Sequence, residues 1–407
     1  LATSYLGGSF GHTLDHGSDQ GLEQEAAALQ GGMGGLLKTW AHELPGCRVK
    51  LVDLAADLPV FGQAQAILQE WAAEDGILEV GYTARGRSTL QVSPAPVDAG
   101  QAAAPALDGD SVILITGGAR GITAQVAAAL ARRYRPKLVL AGRSPLPAPE
   151  AEDTAALTEL AAIKAALVAR LTQAGQPVHL AEVESAYRRL MAARELRANL
   201  AALQATGATV YYHAVDVRDE TAFGQLLDVI YAQFGRLDGV IHGAGILEDK
   251  LLADKEAASL QRVVSTKVDS AFLLSRRLRP ATLRFLVFFS SVSGRFGNKG
   301  QGDYAAANEV LNKLAHLLDR RWPGRVVSIN WGPWAGSGMV TDEVRRQFAA
   351  RGVDLIPPAV GCQALLDELC YGRKGQVEIV FGGASIHAMG NAYSMSPQEP
   401  ATASGHI

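Results

Sequence analysis

The segment 112–123, with the sequence VILITGGARGIT, decides the fold of this 407-residue chain. Its first residues are apolar or β-branched and predict a short buried strand. The strand leads directly into a glycine-rich turn that ends at Gly121, and an alanine-rich stretch with helical spacing follows. A strand, a glycine turn and a helix in this order predict the first unit of a parallel sheet, with a helix N-terminus at which a phosphate group can bind.

Further segments downstream have the same composition of short buried strands, and helical stretches separate them. They comprise residues 137–141, 209–214, 239–242, 285–290 and 325–330. Buried strands that alternate with helices predict an α/β fold with a doubly wound parallel sheet.

One interval between strands, residues 142–207, is too long for an ordinary crossover. Residues 154–174 and 180–205 are rich in Ala, Leu, Glu and Arg with helical spacing. Gly175, Gln176 and Pro177 interrupt them. We therefore predict an inserted helical hairpin at about residues 150–206. It is either structural padding or a surface for docking or dimerisation.

The region before residue 93 predicts a second, smaller α/β unit. Strand-like alternation occurs at residues 48–54, 78–82 and 88–92, with helical periodicity at 35–43 and 64–73. The Pro- and Ala-rich residues 93–107 have little to bury and read as a linker. The predicted domains are thus a truncated subdomain (1–92), this linker, a catalytic subdomain (108–387) and a flexible tail (388–407).

Composition excludes several classes of function. The chain is 48% hydrophobic and 19% charged, with a net charge of −3, which indicates a globular protein without a general attraction for nucleic acid or anionic membranes. It contains neither an apolar run long enough to span a membrane nor a signal peptide, so a cytoplasmic location is expected. Cys47, Cys362 and Cys370 fit neither a disulfide framework nor zinc-like spacing, so no metal site is predicted. Because the first residue is not Met, we expect a piece of a longer chain.

The turns that follow the predicted strands form a candidate dinucleotide site. Because Arg143 stands where NAD enzymes carry an acidic residue and can pair with a 2′-phosphate, we predict NADPH as cofactor. Arg120, inside the first turn, adds a second cation. The predicted cofactor-binding residues are Thr116, Gly117, Gly118, Arg120, Gly121, Ile122, Arg143, Ser144, Asp216, Val217, His242, Gly243, Ala244, Gly245 and Pro333.

Several of these motifs together carry a family resemblance. They are residues 116–123, the HGAG turn at 242–245, Ser291, the YAAAN motif at 304–308 and the NWGPW motif at 330–334. In this combination the chain resembles the ketoreductase domain of polyketide or polyunsaturated fatty-acid synthases, within the Rossmann-fold short-chain dehydrogenase/reductase superfamily. Residues 34–40 and 49–53 are similar to the truncated half-domain that precedes the catalytic half in these synthases.

The resemblance implies a set of catalytic residues. Tyr304 is the expected proton donor to a ketone, and Ser291 is expected to hydrogen-bond the ketone oxygen. The family places a lysine at the position of Lys267 and an asparagine at that of Asn308, the reverse of ordinary members of the superfamily. Since a phenol has a reference pKa of about 10, we predict that Lys267 lowers the pKa of Tyr304 and holds the nicotinamide ribose. Asn308 would orient this lysine or a water.

The resemblance also implies the substrate, a β-ketoacyl thioester on an acyl-carrier protein, and as partners the other domains of the same synthase. A homodimer is a further expectation. Leu247, Glu248 and Asp249 stand where one class of these ketoreductases carries Leu-Asp-Asp, which predicts a 3R hydroxyl product. The opposite class carries Trp at the position of Phe296. The predicted substrate and stereocontrol residues are Glu248, Asp249, Phe296, Gln301 and Trp334.

A glycine-containing loop after Trp334, residues 335–339, reads as a lid that closes on substrate, or as a simple connector. Two alternatives to an active reductase stay open. One is a catalytically silent scaffold that binds nucleotide and docks the carrier, although the tyrosine, the lysine and the glycine turn are all present. The other is a nucleotide-sugar epimerase or dehydratase, against which the exchanged Lys267 and Asn308 argue.

Overall fold

A computed structural model describes residues 1–12, 21–97, 107–175, 178–336, 346, 353–383 and 385–386. Its N-terminal part contains a four-stranded sheet. The strands, in spatial order, are β1 (Ala2–Ser4), β2 (Leu51–Leu54), β3 (Glu79–Thr83) and β4 (Gly86–Thr89). The first three are parallel and β4 is antiparallel to β3. Helices α1 (Gly21–Glu43) and α2 (Val60–Ala72) connect them.

The second sheet has seven strands and is parallel throughout, in the order β7-β6-β5-β8-β9-β10-β11. The strands are β5 (Val112–Thr116), β6 (Lys137–Gly142), β7 (Thr209–Ala214), β8 (Gly239–His242), β9 (Phe285–Ser291), β10 (Arg325–Trp331) and β11 (Glu378–Phe381). Chain order reverses between β5 and β8, so the crevice at the carboxyl ends of these two strands is the place where such sheets bind ligands.

Helices cover both faces of this sheet. They are α3 (Gly121–Tyr134), α4 (Glu152–Ala155), α5 (Leu160–Gln173), α6 (Leu180–Gln204), α7 (Glu220–Phe234), α8 (Ala257–Val264), α9 (Ser270–Arg277), α10 (Val292–Phe296), α11 (Gly302–Arg321) and α12 (Pro358–Tyr371). A 3₁₀ turn (Leu252–Asp254) precedes α8, and a π-helical segment (Ser265–Asp269) joins α8 to α9. Two buried apolar clusters, one on each face of the sheet, form the core.

The predicted fold class, a doubly wound parallel sheet preceded by a smaller α/β unit, is confirmed. The inserted hairpin is present as α5 and α6, which pack on one another. The sequence patterns missed β1, β11 and the π segment, and they began α1 and α2 too late. The glycine loop from residue 337 onward, Gln176, Pro177 and the tail lie outside the described residues. Within the described ranges, no helix combines the length and apolarity that crossing a membrane requires.

Helix α1 of the small unit packs along α11 of the large one, because glycines remove the side chains between them. A Cβ atom on Gly35 would lie 2.3 Å from the carbonyl oxygen of Ala305, and one on Gly31 would lie 2.4 Å from the Lys313 side chain. The two helix backbones therefore approach more closely than any larger residue permits. This contact connects the small unit to the helix that carries Tyr304.

A buried network of charges holds the same interface. Lys38 of α1 pairs with Glu79 of β3 at 3.0 Å and with Glu309 of α11 at 3.5 Å. Arg295 also binds Glu79, at 2.5 Å, and Lys313 binds Glu309 at 2.9 Å. Burial lowers the pKa of Lys38, and the carboxylates of Glu309 and Glu79 act in the opposite direction. Removing one partner would leave a buried charge uncompensated.

Candidate active site

Two glycine turns meet at the carboxyl ends of β5 and β8. Gly117 and Gly121 have φ values of +73° and +58°, which favour glycine. A Cβ atom on Gly243, in the second turn, would lie 2.2 Å from the Thr123 methyl carbon. The threonine that replaces the last glycine of the usual pattern therefore packs directly against the missing side chain of Gly243.

Thr116 and His242 fix these turns from below. The Thr116 hydroxyl accepts hydrogen bonds from the amides of Gly243 and Ala244, both at 3.1 Å. It lies 2.9 Å from Nδ1 of His242, whose Nε2 lies 3.1 Å from the carbonyl oxygen of Lys267. Burial, with the nearby Lys267 charge, lowers the pKa of His242 to about 3, so the ring is neutral. The His242 ring is fully buried and anchors the turn from inside the protein, so its predicted cofactor contact does not involve the ring.

The N-terminus of α3 lies at the end of the first turn and already binds an anion. The Gly121 amide donates to Oε1 of Glu195 at 2.9 Å, and Nε of Arg120 donates to Oε2 at 2.9 Å. Glu195 belongs to α6 of the inserted hairpin. A carboxylate in this position shows that the turn offers the donors and the dipole that a phosphate group requires.

The adenosine side of the predicted cofactor site contains residues in three different situations. Arg143 is exposed and makes no hydrogen bond or ion pair with any described residue. The Ser144 carbonyl accepts a hydrogen bond from the Tyr212 hydroxyl at 2.5 Å. Asp216 is held by Arg218 at 2.6 Å, which keeps the pKa of its carboxyl below the usual value. Val217 is buried in the core, so it cannot present its side chain to an adenine edge as predicted.

Helix α11 and strand β9 bring the predicted catalytic residues together. Ser291, the last residue of β9, caps α10, and its hydroxyl accepts from the Ser293 amide at 3.2 Å. Tyr304 lies in the first turn of α11. Asn308, one turn later, donates through Nδ2 to the Tyr304 carbonyl at 2.7 Å, so it does not orient Lys267 directly.

Lys267 reaches the site from the π segment between α8 and α9. Its Nζ donates to the Phe289 carbonyl at 2.8 Å and lies 5.3 Å from the centre of the Tyr304 ring. Burial lowers the pKa of Lys267 to about 7. Single π turns are frequent at functional sites, and nothing in the periodicity of residues 257–277 indicated this one.

The pKa of Tyr304 differs from the prediction. Burial raises it, the side chains of Asn308 and Ser291 lower it, and Asp249 raises it further, with a net increase. Lys267 is not among the groups that shift this pKa. The prediction that Lys267 lowers the pKa of Tyr304 is therefore wrong for the chain by itself, because the ammonium group faces a backbone carbonyl and the ring rather than the hydroxyl.

The predicted stereocontrol residues divide into two groups. Gln301 donates to Asp249 at 2.9 Å and accepts from the Ser293 hydroxyl at 2.7 Å, which places both residues beside Tyr304. Glu248 instead pairs with Arg262 of α8 at 2.6 Å, and this contact lowers its pKa to about 2. Glu248 is thus a surface ion-pair partner.

Phe296 and Trp334 are core residues rather than pocket-lining ones. Phe296 is 2% exposed, and its carbonyl oxygen lies 3.0 Å from Nε2 of His42 in α1. Trp334 is 1% exposed, its ring centre lies 5.1 Å from that of Trp331, and the ring covers the position that a Cβ atom on Gly361 would occupy. The structure contradicts the prediction that Trp334 contacts substrate. Pro333 is half-buried, and its carbonyl accepts from the Ile356 amide at 2.8 Å.

Comparison with known proteins agrees with this arrangement. A family model described as the KR domain matches residues 111–336. A polyunsaturated fatty acid synthase from a Thraustochytrium species is 32% identical over 90% of this chain and 13% of its own length. Polyketide synthase PksN of Bacillus subtilis is 27% identical over 87% of this chain and 6% of its own length. The chain thus spans a small fraction of these curated relatives.

Solved structures show the same relationship. The ketoreductase from the first module of phoslactomycin biosynthesis in a Streptomyces species has a TM-score of 0.66 and 28% identity, covering 86% of this chain and 68% of that one. A structure described as an A1-type ketoreductase has a TM-score of 0.69 and 25% identity, covering 96% and 70%. From the matched residues and the shared fold, the chain belongs to the KR domain family, the nicotinamide-dependent ketoreductases of polyketide and fatty-acid synthases.

Proposed function

We propose that the chain reduces a β-ketoacyl thioester, carried by an acyl-carrier protein, to the 3R β-hydroxyacyl thioester with NADPH. One observation carries this proposal: Tyr304, Ser291 and Lys267 come together beside two glycine turns at the carboxyl edge of a parallel sheet. A silent scaffold has no need for a buried phenol between a hydroxyl and a cation.

Tyr304 is suited to donate a proton. Because burial raises its pKa, the phenol is protonated at neutral pH and can give its proton to a ketone oxygen. Ser291 lies beside it and can donate a hydrogen bond to the same oxygen as negative charge develops there. A bound nicotinamide supplies the hydride for the carbon of the carbonyl group.

Lys267 acts after the proton has left Tyr304. Its pKa of about 7 means that a large fraction carries a charge at neutral pH. An ammonium 5.3 Å from the ring centre stabilises the phenolate that remains. The proposed function therefore does not require a lowered phenol pKa before the reaction begins.

The preference for NADPH is supported by Arg143. An exposed guanidinium without a partner among the described residues is free to bind a 2′-phosphate in a bidentate manner. Gly117, Gly121 and Gly243 leave room for the dinucleotide backbone, and the anion held at Gly121 supports a phosphate position there.

The partner and the product configuration follow from the resemblance. Relatives are parts of long synthases, so a carrier domain and the other domains of the same synthase are the proposed partners. The sequence Leu247-Glu248-Asp249 supports a 3R product, and the contact between Asp249 and Gln301 holds this loop beside Tyr304.

The test supplies a β-ketoacyl thioester with NADPH and determines the chirality of the hydroxy product. We expect 3R product from the wild type and a loss of about 100-fold or more in turnover for Tyr304→Phe. Tyr5→Phe, which changes a surface tyrosine of the small unit, is the matched control and should retain full turnover. Cofactor binding without turnover in the wild type would support the scaffold instead, and 3S product would refute the configuration alone.

A further inference from the structure

The inserted hairpin places a negative charge on the proposed phosphate site. Glu195 of α6 accepts from the Gly121 amide through Oε1 and from Arg120 through Oε2, both at 2.9 Å. These two donors belong to the turn that, in the proposed function, binds the dinucleotide. The hairpin thus supplies its own anion at the N-terminus of α3.

Helix α6 is fixed beside this turn. Asn199, one turn beyond Glu195, donates to the Ala119 carbonyl at 3.0 Å. Leu196 and Leu203 are each 1% exposed, and Leu203 belongs to the apolar cluster that α3 contributes to. The backbone that carries Glu195 is therefore held in place by packing, and the contact with the turn is a defined part of the fold.

The side chain of Glu195 can nevertheless leave. It is 37% exposed, and that of Arg120 is 48% exposed, so rotation into solvent needs no movement of α6. A carboxylate and a phosphate require the same donors, the amide at the helix N-terminus and a guanidinium. Only one of them can occupy these donors at a time.

We propose that Glu195 competes with a phosphate group of the cofactor for Gly121 and Arg120, so that the inserted hairpin sets cofactor affinity. This inference rests on the proposed use of a nicotinamide dinucleotide. Displacement of Glu195 frees Arg120 for the cofactor. If the competing group is the 2′-phosphate, Glu195 also weakens the preference for NADPH over NADH.

The test measures the dissociation constants of NADPH and NADH by nicotinamide fluorescence, without substrate, for wild type and Glu195→Gln. The amide keeps the size of the side chain and removes its charge. We expect NADPH to bind about three- to tenfold more tightly to the variant, from the loss of a helix-terminus interaction and an exposed ion pair. Glu182→Gln, an exposed glutamate at the start of the same helix, is the matched control and should leave both constants unchanged.

The direction of the change decides the question. Equal tightening of NADPH and NADH supports competition with the pyrophosphate, and tightening of NADPH alone supports competition with the 2′-phosphate. Unchanged or weaker binding overturns the inference, since a glutamate that merely positions Arg120 would weaken binding when neutralised. A wild type that binds neither cofactor overturns the proposed function itself, and the inference with it.

Discussion

The ammonium nitrogen of Lys267 lies 5.3 Å from the centre of the Tyr304 ring, and it donates a hydrogen bond to a backbone carbonyl rather than to the phenol. Burial moves the two pKa values towards the neutral forms, downward for the lysine and upward for the tyrosine. A neutral phenol is a proton donor, and a lysine with a pKa of about 7 can gain or lose a proton at the pH of catalysis. The pair is thus arranged for proton transfer rather than for a standing phenolate.

The buried lysine predicts a pH dependence of stability. Its pKa is about 7 in the folded chain and 10.5 in the unfolded one. Between these values the unfolded state binds more protons, so this group makes the free energy of unfolding rise with pH, by up to about 1.4 kcal/mol per unit. Lys267→Met should lack this contribution. Urea unfolding of both proteins from pH 7.5 to 9.5 measures it, and parallel pH profiles would contradict the assigned pKa.

Arg143 predicts cofactor selectivity. Removal of the guanidinium in Arg143→Ala should weaken NADPH binding about tenfold or more, because charge-assisted hydrogen bonds are each worth about 1.5–3 kcal/mol. NADH, which lacks the 2′-phosphate, should bind with unchanged affinity. Arg133→Ala, in the last turn of α3, is the matched control. Equal losses for both cofactors would show that Arg143 contacts another part of the dinucleotide.

The parts of this fold that sequence predicted are those with strong local signals. The apolar strand and glycine turn at residues 112–123 specify a phosphate-binding unit through composition alone, and the long interval before β7 predicted the hairpin. By contrast, β1 has three residues and pairs only through β2, so it has no periodicity to detect. A π turn such as Ser265–Asp269 shifts one hydrogen-bond register without changing the residue pattern.

The site shows the same division. Tyr304, Ser291, Lys267 and Asn308 follow from a motif that resembles a family, and the structure brings them together. The burial of Trp334 depends on how α12 covers the loop after β10, which no local pattern records. Glu195 could not be found at all, because its contact with Gly121 exists only once the hairpin has docked on α3.

The buried charges between the two units predict a coupled stability effect. Lys38→Met should lower the free energy of unfolding by about 3–5 kcal/mol, because Glu79 and Glu309 lose a buried counter-ion. The double variant Lys38→Met/Glu79→Gln removes one charge of each sign. It should cost less than the sum of the two single variants, with a coupling of about 1 kcal/mol or more. Additive losses in urea unfolding would show that Lys38 and Glu79 do not interact.

The contact between α1 and α11 predicts opposite outcomes for one substitution at two helical glycines. Gly35→Ala places a methyl group 2.3 Å from the Ala305 carbonyl oxygen, so the helices must separate, and we expect a loss of about 2 kcal/mol or more. Gly62→Ala, in α2, meets its nearest atom at 4.0 Å and should stabilise the chain by about 0.5–1 kcal/mol through helix propensity. Because Tyr304 lies beside Ala305, Gly35→Ala should also reduce turnover, whereas Gly62→Ala should not. Thermal unfolding and ketone reduction, measured on both variants, check the two effects. Equal stability of the two variants would mean that α1 tolerates a wider separation from α11 than the glycine contacts imply.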